Sequence, residues 1–262
     1  MKIAVLTSDE PLHLPAFFAR FLARRADDVA AVFPCPARAP GGRRRGPWGQ
    51  FRRYVRTFGW LNGLRLAWRV AGAKVRGRLG MGARTGRGGS VPAVARHYGV
   101  VCETCEDVNA PAFLQRLRGD GVDVVLSVSC PQIFKEDLIA LPEKGCLNIH
   151  GADLPRYRGL LPSFWMLLHN EPEAAVSVFE VDAGIDTGLI LGKRRFPIRP
   201  DDTLHTFLVR AKREACDLVL QVLDAIEAGT AEAHPPEGEG SYFGWPTRQD
   251  YRRFRRAGRR LW

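Results

Sequence analysis

The sequence predicts an α/β protein: a Rossmann-like, doubly wound and mostly parallel sheet with a basic helical insertion and a short C-terminal extension. Three observations lead there. The chain opens strand–helix–strand, with an apolar run at 2–8, helical spacing of Leu14, Phe17, Phe18, Phe21 and Leu22 across 11–26, and a second apolar run at 28–35. Short apolar runs then alternate with helix-patterned stretches from residue 91 to residue 198, the rhythm of βα units. Between these parts, residues 41–90 hold thirteen Arg and Lys and no acid, a composition foreign to a sheet core.

The elements follow in order from their residues. Residues 36–50 are a Pro/Gly/Arg linker. Residues 51–79 place Tyr54, Val55, Phe58, Leu61, Leu64, Leu66, Trp68 and Val70 among arginines. Gly59, Gly63, Gly72 and Gly77 argue against one continuous helix there, so two shorter amphipathic helices are expected. The Gly-rich stretch 81–89 is expected to be mobile. Helix is then expected at 91–98, strand at 100–103, helix at 110–117, a buried strand at 122–129 and a short helix at 134–141. Strand 146–150, helix 163–169, and strands 174–181 and 189–198 follow. Asp202 is the expected N-cap of a long helix at 203–228, with Gly229 as its stop. Residues 241–248 read as an extended or turn segment ahead of a basic, aromatic-edged tail. The expected organisation is a catalytic domain at 1–200 with the insertion 41–90, and a helix and tail at 201–262 that pack on it or extend it.

Composition narrows the function classes. With 262 residues and 45% hydrophobic content, the chain can bury one substantial α/β core. No segment reaches the ~18 continuous apolar residues of a spanning helix, and residues 1–8 read as a first strand, not a signal peptide. A cytoplasmic protein is expected. Six scattered cysteines offer one Cys102-x-x-Cys105 pair without a second, so reduced thiols are expected and no metal site. The net charge of +11 is segregated: +13 in residues 41–90, +6 in 248–262 and −8 on the rest. An acidic core with basic appendages points to an anionic partner for the appendages, and peripheral association with an anionic membrane through 41–90 is expected. Nucleic acid is disfavoured, because no recognition module accompanies the charge. No Gly-x-Gly-x-x-Gly follows the first strand, which argues against a dinucleotide site.

Chemistry-bearing residues collect at two strand ends. Asn148 and His150 close the run 145–149, and Asp186 lies in Asp182-Ala-Gly-Ile-Asp-Thr-Gly188 after the run 174–181. Open α/β sheets carry their sites at the carboxyl ends of strands. A carboxamide N–H can hold a developing oxyanion, a histidine can move an amine proton, and a carboxylate can orient that histidine: a set suited to acyl transfer. Cys130 and Cys146 are read as packing residues, not nucleophiles.

The stretch Leu154-Pro-Arg-Tyr-Arg-Gly-Leu-Leu-Pro-Ser-Phe-Trp165, taken with Asn148, His150 and Asp182-x-Gly-x-Asp-Thr-Gly188, resembles the formyltransferase family that uses 10-formyltetrahydrofolate. The likeness runs from about residue 122 to residue 191, in the family's order and spacing. It implies that Asn148, His150 and Asp186 are the catalytic triad, with Asp182 the earlier acid of the motif. It implies that the loop 129–134, with Gln132 and Ile133, lines the pterin pocket, and that backbone groups near Val181, Asp182 and Ala183 complete it. Gly151-Ala152-Asp153 departs from the lead many members carry before Leu154 and leaves the acceptor open. Methionyl-tRNA formyltransferases carry a further C-terminal barrel domain, whereas about sixty residues follow Ile198 here. Formyl-folate hydrolases carry a regulatory domain before the first strand, and the glycinamide ribonucleotide branch carries a phosphate loop after it. The expected reaction is therefore N-formylation of a small-molecule primary amine, with an amino sugar on a nucleotide or lipid carrier as acceptor. A hydroxyornithine-type or other natural-product amine is the enzymatic alternative. A non-catalytic membrane- or nucleic-acid-binding scaffold is the alternative of another class.

Overall fold

Runs that are apolar at every position bury both faces of a strand, which suits the interior of a parallel sheet covered by helices. In the computed structural model, which describes residues 1–37, 46–86 and 89–262, β1 (Ile3–Thr7) and β3 (Val124–Val128) are buried at every residue. β1 pairs in parallel with β2 (Val29–Pro34) on one side and with β3 on the other. β3 pairs in parallel with β4 (Cys146–His150), matching Ser127 to Asn148. With β6 (Glu173–Glu180) and β7 (Ile190–Pro197) the strand order is β2-β1-β3-β4-β6-β7. β7 runs antiparallel to β6. The expected α/β, mostly parallel sheet is what the chain forms.

By its contacts the chain divides into two units, Met1–Gly49 with Ala67–Asn148 and Gln50–Leu66 with Ile149–Trp262. In the first, helix α1 (Leu14–Arg25) buries Phe17, Phe18 and Phe21, the ring centroids of Phe17 and Phe21 stacking at 5.8 Å. Its start is held by Glu10, whose carboxylate accepts from the backbone N–H groups of Leu12, His13 and Leu14 at 2.9, 2.8 and 3.2 Å. Burial pushes the Glu10 carboxyl up, but the hydrogen bonds from His13 and Leu12 and the His13 charge outweigh it and hold the group at about 2. Residues 100–103, expected as a strand, make one bridge, Val32 to Cys102, along the outer edge of β2.

The linker 36–50 and the Gly-rich stretch 81–89 fall partly outside the described residues, at 38–45 and 87–88. The insertion forms two helices as expected, α2 (Pro47–Phe58) and α3 (Trp60–Arg78), parted by Gly59 at φ +88°. Gly63 and Gly77 do not break α3. A Cβ at Gly63 would meet Val55 at 2.5 Å and one at Gly77 would meet Ser90 at 2.9 Å, so these positions let the helix pack closely. Beyond them α4 (Val91–His97), α5 (Pro111–Gly119) and α6 (Glu136–Ile139) match the expected helices, α6 as little more than one turn.

In the second unit, a two-residue strand β5 (Arg158–Gly159) and helix α7 (Pro162–Leu168) precede β6. Helix α8 (Leu204–Glu227) lies on β7 at Gly192, where a Cβ would meet Leu218 and Val222 at 3.1 Å. Its N-cap is Thr203, not Asp202: the Thr203 hydroxyl accepts from Thr206 N–H, and the Asp202 carboxylate instead accepts from Arg199 N–H and pairs with Arg210. The segment 241–248 forms the strand β8 (Tyr242–Phe243), in parallel register with β5, and the tail forms helix α9 (Arg248–Arg256). Thr247 and Asp250 close a capping box at its start, and Phe254, fully buried, stacks on Phe164 at 4.7 Å.

Two stability outcomes follow. Thr203→Ala is expected to lower unfolding free energy by about 1 kcal/mol, read by urea denaturation; no change would show that Asp202 caps the helix. Glu10 has its carboxyl depressed from 4.5 to about 2, so its stabilisation is present above 4.5 and lost as pH falls through about 2. Glu10→Gln should flatten that acid limb of the stability curve, and an unchanged limb would place the acid-sensitive groups elsewhere.

Candidate active site

Alternation along β4 puts Asn148 and His150 on one face of the strand and Leu147 and Ile149 on the other. His150 is buried at 7% exposure. Its Nε2 lies 2.8 Å from the carbonyl oxygen of Tyr157. A carbonyl only accepts, so Nε2 carries the hydrogen and the lone pair of the neutral ring resides on Nδ1. Nδ1 faces the Asp186 carboxylate, with Oδ2 at 3.6 Å. The same Oδ2 accepts the backbone N–H of Gly159 at 2.9 Å. A proton received at Nδ1 therefore meets a fixed carboxylate across a short gap, while the far side of the ring is held by a backbone dipole.

The turn carrying Asp186 explains the spacing of its motif. The Asp182 carboxylate accepts from Gly184 N–H at 3.0 Å and from the Thr187 hydroxyl at 2.8 Å. A Cβ at Gly184 would lie 2.0 Å from Thr187 Oγ1, and one at Gly188 would lie 1.7 Å from the Glu180 carbonyl. Both glycines are dictated by close approach, and Asp182 and Thr187 brace the turn. Asp186 itself sits at φ +53°, a left-handed conformation that Asp tolerates better than most residues. The structure thus separates the two acids, with Asp182 in the turn and Asp186 at the histidine.

Residues 154–161 supply both backbone contacts to the pair, and the sequence reading did not single out that role. Tyr157 adopts φ +59°, which costs about 1–3 kcal/mol and persists only where its surroundings over-determine it. Here they do. Tyr157 N–H donates to Ser241 Oγ at 2.8 Å, Arg158 N–H to the Ser241 carbonyl at 2.9 Å and Leu160 N–H to the Phe243 carbonyl at 2.8 Å. The Tyr157 ring stacks on Phe243 at 5.2 Å, and its hydroxyl donates to Glu171 at 2.6 Å. Phe243 stacks in turn on Trp165 at 4.9 Å. Gly159, at φ +95°, has no room for a Cβ, which would fall 2.4 Å from the Phe243 carbonyl. Upstream, buried Ser177 on β6 ties down the same loop, donating to the Ala152 carbonyl at 2.7 Å and accepting from Leu154 N–H at 3.3 Å. Asp153 pairs with Lys193 and Arg195 at 3.0 and 2.8 Å.

The other expected site residues stand as follows. Gln132 and Ile133 lie in the loop after β3. The Gln132 amide donates to the carbonyls of Pro36 and Glu106 at 3.0 and 2.9 Å and accepts from Val108 N–H at 3.1 Å, while the Ile133 side chain is 76% exposed. Val181 is half-buried, and Asp182 and Ala183 are exposed beyond the end of β6. His169, near the Tyr157 hydroxyl at 3.1 Å, is held below the usual histidine range by burial and then by the Arg253 charge. Cys146 is buried and its thiol is pushed up to about 12 by burial, which suits a packing residue.

Gly159→Ala is expected to lower kcat by on the order of 10²-fold, because it disturbs both contacts that set His150 against Asp186. Ser241→Ala should lower kcat roughly 5–10-fold and displace the pH–rate profile, with circular dichroism unchanged. Normal kinetics in both variants would remove the loop's positioning role.

A sequence profile described as Formyl transferase matches residues 87–223, just over half of the chain. A methionyl-tRNA formyltransferase of Geobacter metallireducens is 33% identical over 140 residues, covering 53% of this chain and 45% of its own length. The chain thus aligns with less than half the length of that relative. Among solved structures, the N-formyltransferase from Helicobacter canadensis in complex with folinic acid and dTDP-3-aminofucose superposes with a TM-score of 0.58 at 20% identity, covering 95% of this chain and 72% of that one. Glycinamide ribonucleotide transformylase 1 from Symbiobacterium toebii gives 0.59 at 19% identity, covering 90% and 94%. These two likenesses concern the fold. The profile, which spans the strand with Asn148 and His150 and the turn with Asp186, shows that the chain belongs to the formyl transferase family.

Proposed function

We propose that the chain is an N-formyltransferase that moves a formyl group from 10-formyltetrahydrofolate to the primary amine of an amino sugar on a nucleotide or lipid carrier. The observation that carries this reading is the His150–Asp186 pair, 3.6 Å apart at the end of β4, with Asn148 two residues earlier on the same strand face. The acceptor nitrogen attacks the formyl carbon, and negative charge develops on the formyl oxygen. The Asn148 carboxamide N–H is suited to that charge. His150 takes part in moving the proton from the attacking nitrogen to N10, directly or through water, as the C–N10 bond breaks. Asp186 balances the ring's charge in the interval. Gln132 and Ile133 after β3, and separately Val181, Asp182 and Ala183 after β6, are the proposed pterin contacts, chiefly through backbone groups.

Two features support an amino-sugar acceptor. The backbone N–H groups at the start of α1, where a phosphate-binding loop would act, are taken by the Glu10 carboxylate, and an anion there would face like charge. That disfavours a ribonucleotide phosphate at this position. Arg158 lies in the chain between Tyr157 and Gly159, the two residues that contact the pair; its Nε is buried and has no hydrogen-bond partner among the described residues, which suits the diphosphate of a nucleotide carrier. The Helicobacter canadensis neighbour was crystallised with such a sugar nucleotide.

Calorimetry with folinic acid should show binding, and turnover with a dTDP-linked amino sugar should release tetrahydrofolate. Silence at millimolar folinic acid would remove the folate reading, and turnover confined to an amino acid such as hydroxyornithine would replace the acceptor. Asn148→Ala is expected to slow kcat on the order of 10²–10³-fold with folinic acid affinity kept. Arg158→Lys should raise the acceptor KM about 10–100-fold and leave the folate KM unchanged; an unaltered acceptor KM would return Arg158 to a structural role.

A further inference from the structure

Helix α3 has two apolar faces, and only one is buried. Gly63, Ala73 and Gly77 face inward. Opposite them, Trp60, Leu61, Leu64, Trp68 and Val75 are 59%, 80%, 48%, 79% and 54% exposed. At 100° per residue these five positions fall within an arc of about 100°, and Trp60 to Val75 spans about 22 Å of helix. Arg65 and Arg69 run along one edge of the stripe and Lys74 along the other, and residues 41–90 contain no acid. Two tryptophans and three aliphatic side chains left in water on one helix face are more than scattered surface apolar residues account for.

We infer that this face of α3 docks onto an anionic phospholipid bilayer. The helix would lie in the interfacial plane, with Leu61, Leu64 and Val75 reaching below the headgroups. Trp60 and Trp68 would sit at headgroup level, with Arg65, Arg69 and Lys74 on lipid phosphates. Charge decides among the occupants. A second copy meeting this stripe across a two-fold axis would set the same acid-free, basic surface against itself. Single-stranded nucleic acid uses cations and aromatic platforms and has no need of a continuous aliphatic row. The inference is independent of the formyl acceptor: the stripe contains none of the residues placed at the active site.

The test is co-sedimentation of the full chain with vesicles of phosphatidylcholine alone and of phosphatidylcholine mixed with phosphatidylglycerol, beside a Trp60→Ser, Leu64→Ser, Trp68→Ser variant. Expected are binding to the anionic vesicles only, weakening as salt rises, and a loss on the order of 100-fold in the variant. Circular dichroism and formyl transfer to a soluble acceptor should be unchanged in the variant. Equal binding to neutral vesicles, or none to either, overturns the inference. So does equal binding by chain and variant, which would leave charge alone responsible. A dimer in analytical ultracentrifugation that the variant dissolves would assign the stripe to a second copy instead.

Discussion

The hydrogen bond between His150 Nε2 and the Tyr157 carbonyl, 2.8 Å long, is the constraint on which the rest of the site depends. It fixes the tautomer, and with the tautomer it fixes which nitrogen meets Asp186. A histidine held only by its carboxylate could rotate or exchange its two nitrogens. The carbonyl can aim at the ring because Tyr157 is in a left-handed conformation that its own side chain disfavours. The stabilisation that offsets this strain comes from three backbone hydrogen bonds to residues 241–243, ring stacking on Phe243 and the hydroxyl bond to Glu171. The C-terminal segment therefore holds in place the loop that contacts the His150–Asp186 pair.

A second consequence concerns how glycine is used. Gly159, Gly184 and Gly188 each stand where a Cβ would lie 2.4 Å or less from a neighbouring oxygen. Two of these approaches serve the turn that delivers Asp186, and the third lets Gly159 N–H reach the same carboxylate. At these three positions the backbone is too crowded for any side chain. In α3 the same residue type serves helix packing: Gly63 lets the chain approach Val55 closely. The arginine-rich insertion can then bury a narrow, small-residue face and still present a second apolar face outward.

Much of this was legible in the residues. Unbroken apolar runs gave β1 and β3, because a strand covered on both faces has no polar side to show. Asn148 and His150 were legible as neighbours because alternation on a strand is a local property, and the Asp182 motif announced a turn because Asp and Gly spacing is local chemistry as well. Helix α9 was missed although Thr247-x-x-Asp250 is a capping signal; the arginines that follow read as a solvated tail, and the burial of Phe254 against Phe164 was hidden from the sequence. Asp202 was expected as a cap because Asp and Thr are both good caps, and the choice fell to Thr203 once Arg210 claimed the carboxylate.

By itself the sequence determined what depends on periods of two and of about four residues and on close spacing: the strands, most helices, the two-helix insertion and the placing of Asn148 and His150 on one strand face. Only the tertiary structure decided what depends on residues far apart in the chain. Ser241 and Phe243 lie more than eighty positions from Tyr157 and Gly159, and their parallel pairing carries no local signature. Which nitrogen of His150 faces Asp186 was likewise beyond the sequence. So was the choice of which apolar face of α3 is buried, since a helix wheel shows two stripes and only packing selects between them.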